Sequence, residues 1–241
     1  MGKLLTPIEL VMIVMSYRST DGNDDALLTD AREIRAVIFD LDGTLVDTVP
    51  LHALSWIETC KRLGLPVPTM DYVSTLMGLR ALDIARRLCG EGIAERALEI
   101  KNEIYLSLLG NARAINGAPE LLKFLKDRGF IVGVVTSSSR RVATRVLEVT
   151  GLHKYVDALV AGDDVSRGKP DPEPLLKILK LLGLSVGDVV VVGDSRYDVE
   201  MALNAGVRVV FFLGSYNDPR VVSIKSLLDI IGYLDQFPIK Q

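Results

Sequence analysis

Cysteine, histidine, glutamine and tryptophan are all scarce in this chain of 241 residues: Cys60 and Cys89, His52 and His153, Gln236 and Gln241, and a single Trp56. Two cysteines so far apart make neither a disulfide framework nor a zinc-binding spacing, and both read as small apolar packing residues in a reducing, cytoplasmic setting. Near-absence of glutamine is a weak pointer to a thermophilic source. Long hydrophobic runs are missing too: "IELVMIVM" (8–15), next to Pro7 and containing Glu9, falls well short of the roughly 20 residues a membrane span needs. With one lysine ahead of it and no A-x-A-like site behind, it does not read as a signal peptide either. Nor does either charge sign dominate. Twenty-eight basic against 31 acidic residues give a net charge of -3, which leaves no electrostatic footprint for nucleic acid or an anionic membrane. Small-molecule chemistry is what remains.

What is present from Arg35 onward is regular. The apolar runs "AVIF" (36–39), "FIVGVV" (130–135), "ALV" (158–160), "VVVV" (189–192) and "VRVVFFL" (207–213) read as strands buried on both faces, the pattern of a parallel sheet. Between them, "APELLKFLKDRG" (118–129) has Pro119 near its start, Leu121, Leu122 and Leu125 on one face and Gly129 as its stop, and "PEPLLKILKLLG" (172–183) repeats that grammar. Strand alternating with helix predicts an α/β fold with a doubly wound parallel sheet, whose ligand site lies beyond the carboxyl ends of the strands.

The alternation breaks once. After Asp47 some 65 residues carry helical periodicity and no strand, in "LHALSWIETCKRLG" (51–64), "ALDIARRLCG" (81–90) and "IAERALEIKNEIYLSLLG" (93–110). We therefore expect three parts: an N-terminal extension over 1–34 containing the polar connector "STDGNDDALLTD" (19–30), an α/β core over 35–48 and 115–241, and an all-helical cap over 49–114. The cap leaves and rejoins the core beside the end of the first strand, where it is placed to act as a lid.

Carboxylates converge at the strand ends. "VIFDLDGTLVDT" (37–48) puts Asp40 and Asp42 after the first strand, Thr136 and Ser137 follow the second, and "GDSRYD" (193–198) puts Asp194 and Asp198 after the fourth. Lys169 lies in "GKPDP" (168–172), stiffened by Pro170 and Pro172. Clustered carboxylates repel and lose solvation; a lysine and a hard cation such as Mg²⁺ offset both costs. Asp47 reads more simply, as a cap and hinge for the helix that follows it.

"DLDGT", a hydrophobic strand ending in Thr136, Lys169 and "GDSRYD" occur in the order found in the haloacid dehalogenase superfamily, and over residues 35–215 the chain resembles its phosphatases with a helical cap inserted after the first strand. The resemblance implies a small phosphomonoester as substrate, Asp40 as nucleophile forming an aspartyl-phosphate, and Asp42 as general acid and base with a pKa pushed up by its neighbours. It also implies that Thr136 and Ser137 bind the phosphoryl group with Lys169. Mg²⁺ would then be held by Asp40, the Asp42 backbone carbonyl and Asp194, with Asp198 supporting from nearby. In the cap, His52 and Trp56 stand one helical turn apart, and "LMGLRALD" (76–83) matches the loop that reads substrate in the family, with Gly78 allowing close approach and Arg80 offering a cation. Mutases of the family carry Lys and Arg where this chain has Met77 and Ala81, which favours a phosphatase over a β-phosphoglucomutase-like activity. A non-catalytic phosphate-binding or signalling domain is the alternative of a different class. Which phosphomonoester is bound, and the oligomeric state, are not legible.

Overall fold

The computed structural model describes residues 34–235. The apolar stretch 8–15 and the connector 19–30 lie outside the described residues. Six strands form one sheet: β1 (Ala36–Phe39), β2 (Ile131–Val135), β3 (Ala158–Val160), β4 (Val189–Gly193), β5 (Val210–Leu213) and β6 (Val221–Ile224). Their order is β3-β2-β1-β4-β5-β6, every neighbouring pair parallel. The order reverses between β1 and β4, so the crevice beyond their carboxyl ends is the topological switch point of the sheet. Register sharpens this: Phe39 lies level with Val134 of β2 and Val192 of β4. The residues that follow all three strands therefore emerge at one height.

Side chains alternate across β1, and both faces are covered. Val37 and Phe39 pack with Leu121, Leu122 and Leu125 of helix α5 (Ala118–Asp127) and Val142 and Val146 of α6 (Arg140–Val149). Ala36 and Ile38 pack on the other face with Leu175 and Ile178 of α7 (Glu173–Leu182) and Met201 of α8 (Arg196–Ala205). Helix α9 (Asp229–Leu234) closes the first layer through Ile230 and Leu234.

Between β1 and α5 the chain is helical: α1 (Val49–Arg62), α2 (Met70–Leu76), α3 (Ala81–Cys89) and α4 (Ala94–Leu108). Their core of Trp56, Val73, Leu76, Ile84 and Ala85 takes in one residue of the sheet domain, Tyr197. The two connections to the sheet domain are bonded to each other. Val46 bridges antiparallel to Ala114, Asp47 N–H donates to the Arg113 carbonyl at 2.9 Å, and Ile115 N–H donates to the Leu45 carbonyl at 2.9 Å. A two-strand hinge of this kind moves as a unit.

Two elements escaped the periodicity reading. Helix α2 has only seven residues and is started by the Thr69 hydroxyl accepting from Tyr72 N–H at 3.2 Å. Strand β6 is a four-residue edge strand with exposed Ser223, too short for its alternation to register. The run 207–213 also enters the sheet only at Val210. Asp47 does not cap α1: the N-cap is Thr48, and its hydroxyl is committed to Asp42. No helix among the described residues is long and apolar enough to cross a membrane.

Candidate active site

Asp40 is the first residue past β1, and its amide still donates to the Val192 carbonyl of β4 at 2.9 Å, which fixes its backbone in the sheet frame. Its Oδ1 accepts from Lys169 Nζ at 2.5 Å, and the same ammonium donates to Asp198 Oδ1 at 2.6 Å. Asp198 stands at the third position of α8, where its Oδ2 accepts from the amide and hydroxyl of Ser195 at 3.1 and 2.5 Å. This S-x-x-D start is a capping arrangement. It leaves Asp198 fully engaged, with one oxygen on the lysine and the other on the helix start. Burial pushes the Asp40 carboxyl well above the ordinary carboxylate range; Lys169 pulls it back, and Asp198, Asp194 and Asp42 push it up again. Lys169 is buried as well, yet its two carboxylate partners hold its pKa above the ordinary lysine value.

Asp194 follows β4. Its Oδ1 accepts from the Thr44 hydroxyl at 2.8 Å, and burial followed by the Asp198 charge raises its pKa to about 7. Gly43 explains the glycine of "DLDGT": its φ is +95°, and a Cβ there would sit 2.2 Å from Asp194 Oδ2. Asp40, Asp194 and Asp198 each offer a carboxylate oxygen within 4.8 Å of the other two. An all-oxygen anionic donor set of this kind suits a hard divalent cation.

Asp42 faces the other way. Its Oδ1 accepts from Thr48 Oγ1 at 2.6 Å and from His52 Nε2 at 3.0 Å; its Oδ2 accepts from Ser138 Oγ at 2.8 Å and from Thr136 Oγ1 at 3.3 Å. The expectation that neighbouring carboxylates raise its pKa is overturned. Burial does push it up, but the His52 ring and the Thr48 and Ser138 hydroxyls outweigh burial and hold the carboxyl well below the ordinary range. His52 in turn takes Lys101 Nζ at 2.7 Å on Nδ1 and stacks on Tyr105 with ring centroids 4.0 Å apart. As an ammonium Lys101 can only donate to Nδ1, and Nε2 is then the protonated nitrogen that donates to Asp42. Burial and then the Lys101 charge lower the His52 pKa, while Asp42 pulls it back up. Lys101 itself is wholly buried and its pKa falls to about 7.

Cap and sheet enclose a cavity of about 30 Å³, lined from below by Asp40, Asp42, Ser137, Ser138, Asp194 and Ser195. From above it is lined by Val49, His52, Trp56, Lys101 and the loop residues Met77, Gly78, Leu79 and Ala81. Gly78 has φ +98°, and a Cβ there would lie 2.6 Å from Ser195 Oγ and from Tyr197, so only glycine lets the loop close this far. Thr136 lies beneath the wall, accepting from the Ser138 amide at 3.1 Å. Ser138 does not cap α6, whose N-cap is Ser139. Ser137 Oγ donates to the Gly78 carbonyl at 2.6 Å. Arg80 is the clear departure: it neither lines the cavity nor meets solvent freely, being bound to Asp83 and to the carbonyls of Val165 and Ser166.

Sequence reasoning missed Lys101, Tyr105, Thr44, Thr48 and Ser138. Thr44 and Thr48 stand within the quoted motif and were open to a hydroxyl-as-donor reading. Lys101 reads as one more lysine of an amphipathic helix, 49 residues from its partner.

The match to known families falls on these residues. Residues 37–212 match the family described as haloacid dehalogenase-like hydrolase. A phosphoglycolate phosphatase of Pseudomonas aeruginosa is 32% identical over 218 residues, covering 84% of this chain and 80% of that protein. A phosphorylated carbohydrates phosphatase of Thermotoga maritima is 34% identical over 200 residues, covering 78% and 90%. In fold, a β-phosphoglucomutase of Clostridium difficile superimposes with a TM-score of 0.74 at 21% identity, covering 84% of this chain and 98% of that one. With its aspartates, lysine and inserted helices gathered at the switch point of the sheet, the chain belongs to the haloacid dehalogenase-like hydrolase family.

Proposed function

We propose that this enzyme is a Mg²⁺-dependent phosphatase of small phosphomonoesters that works through an aspartyl-phosphate on Asp40. The observation that carries the reading is the split between the two aspartates of "DLDGT". Asp40 is held by Lys169 beside Asp194 and Asp198, while Asp42 is held by donors from hinge, cap and β2. One is set for charge-neutralised attack, the other for moving a proton.

An Asp40 oxygen attacks phosphorus and the bond from phosphorus to the ester oxygen breaks. The departing oxygen takes a proton from Asp42. Water then attacks the acyl phosphate, giving its proton to Asp42, and Asp40 is freed with inorganic phosphate. Lys101, His52 and Asp42 form a donor chain in which each member donates to the next, so His52 can supply the Asp42 proton at Nε2 while Lys101 replaces it at Nδ1. Lys169 offsets the charge of the phosphoryl oxygens, and Ser137 and Ser138 line the cavity with their hydroxyl protons committed to the Gly78 carbonyl and to Asp42. The carboxylates of Asp40 and Asp194 and the Asp42 backbone carbonyl would hold the cation, with Asp198 steadying Lys169. Bound there, Mg²⁺ neutralises nucleophile and phosphate so that two anions can meet.

The relatives named for phosphoglycolate and phosphorylated carbohydrates support the substrate class. Met77 and Ala81 on the cavity wall, where a mutase carries cations for a second phosphate, speak for hydrolysis. A phosphate-release screen over small phosphomonoesters, with bisphosphorylated hexoses as mutase control, tests the reading. Release from at least one monoester with Mg²⁺, abolished by EDTA, is expected; no release from any of them overturns it.

The pKa of Asp194 gives a second check that needs no substrate. Its folded value of about 7 lies above the ordinary 3.8. Protonation therefore stabilises the metal-free fold fully below 3.8, and that stabilisation is lost as pH rises through about 7. The melting temperature in EDTA should fall between about pH 5 and pH 8, and Mg²⁺ should raise it by about 5 °C or more at the higher pH but little at the lower. A Mg²⁺ effect equal at both ends would remove Asp194 from the cation site.

A further inference from the structure

Arg80 begins α3 in the cap, but its side chain leaves the cap for the sheet domain. Nε and Nη2 donate to the two carboxylate oxygens of Asp83 at 2.9 and 3.0 Å, which holds the guanidinium flat. Nη1 then reaches the carbonyls of Val165 and Ser166 at 3.2 and 2.6 Å. The aliphatic stem lies against Gly162 and Gly168. Only 16% of this side chain is exposed.

The segment it grips matters for chemistry. Val165 to Gly168 leads directly into Lys169, and the same segment is held from the far side by α7, where Glu173 accepts from the amides of Ser166 and Arg167 at 2.8 and 3.0 Å. Its amides are thus tied to the sheet domain and its carbonyls to the cap. The hinge leaves the sheet at β1, in the middle; the Arg80 anchor follows β3, the edge strand two places away. Closure needs such an anchor, because the 30 Å³ cavity has room for on the order of two waters and admits a phosphomonoester only with the cap swung aside.

We propose that Arg80 is the latch that holds the cap closed and, through the carbonyls of Val165 and Ser166, steadies the loop that carries Lys169. It is a positioning residue and makes no contact with substrate. Its loss therefore slows every substrate in the same proportion. The proposal rests on the cavity being the active site, but its first readout needs no turnover.

Trp56 is the sole tryptophan and 1% exposed; it belongs to the cap core and lines the cavity from the cap side, where that core meets Tyr197 of the sheet domain. Acrylamide quenching of its fluorescence thus reports opening directly. In Arg80→Ala the quenching constant should rise about threefold or more without loss of the folded baseline in thermal melts, with Arg80→Lys and Asp83→Asn falling between it and wild type. On any two substrates with unlike leaving groups, kcat/KM should drop by about tenfold in Arg80→Ala with their ratio unchanged, and Arg80→Lys should recover part of it. Wild-type quenching in folded Arg80→Ala overturns the latch. So does a strong change in the substrate ratio, which would make Arg80 a residue that reads substrate. Should Arg80→Ala fail to fold, wild-type quenching in both Arg80→Lys and Asp83→Asn overturns the proposal equally. An enzyme inactive in the phosphate-release screen leaves the quenching result standing, so the two readings fail separately.

Discussion

Asp40→Asn should turn over at no more than about 10⁻⁵ of the wild-type rate on every phosphomonoester. The substitution keeps the shape of the side chain but removes the oxygen proposed as nucleophile, for which no neighbouring group is placed to substitute: Asp42 is turned to the hinge, and Asp198 is shared between Lys169 and Ser195. Stability should move the other way. Asp40 is buried against Asp194, Asp198 and Asp42 with one ammonium among them, and burial raises its pKa. Removing its charge relieves repulsion in the metal-free protein, so the melting temperature of Asp40→Asn in EDTA should equal or exceed that of wild type at pH 8. A site that is poorly stabilised for the sake of its chemistry behaves in this way. Retained turnover would end the nucleophile assignment; a marked fall in melting temperature would end the electrostatic account.

Asp42→Asn should lower kcat by about 10²- to 10⁴-fold, the usual worth of a positioned acid and base. Its signature differs from that of Asp40→Asn, because the nucleophile remains. With a leaving group that needs no proton, such as p-nitrophenolate, phosphorylation of Asp40 should still proceed while hydrolysis stalls. Phosphoryl-enzyme should then accumulate and be visible in the intact mass. Stability should drop here, unlike at Asp40. The folded pKa of Asp42 is depressed, chiefly by His52, Thr48 and Ser138 outweighing burial, so its carboxylate stabilises the fold above its ordinary pKa of 3.8 and loses that contribution as pH falls. An amide nitrogen facing those donors leaves at least one without an acceptor. Wild-type kcat in Asp42→Asn would exclude the proton role. Equal melting temperatures for the two variants would mean that the hinge and cap contacts do not matter to the fold.

Local sequence was enough for strands β1 to β4 and for the residues at their ends, though not for edge strand β6. β1, β2, β3 and β4 were legible because strands buried on both faces are near-continuous apolar runs, and Asp40, Asp42, Lys169, Asp194 and Asp198 because each stands within a few residues of a strand end or stiffened loop. Parallel strands then bring those ends together, since one register sets their height. Hence the gathering of these residues at the sheet edge was determined by the sequence itself. What the cap does was decided only in three dimensions. Helical spacing puts His52 and Trp56 on one face, but Lys101 reaches His52 only because α4 packs on α1, and no periodicity marks which lysine of an amphipathic helix is buried. The pKa of Asp42 had its direction reversed for the same reason: its carboxylate neighbours are visible in the sequence, whereas His52, Thr48 and Ser138, which outweigh burial, come from the cap, the hinge and the loop after β2. Arg80, in a loop whose sequence suits substrate reading, points instead at the carbonyls of Val165 and Ser166, 85 and 86 residues away. A carbonyl of the main chain has no sequence signature. Any residue carries one, and only the closed tertiary structure decides which arginine finds it.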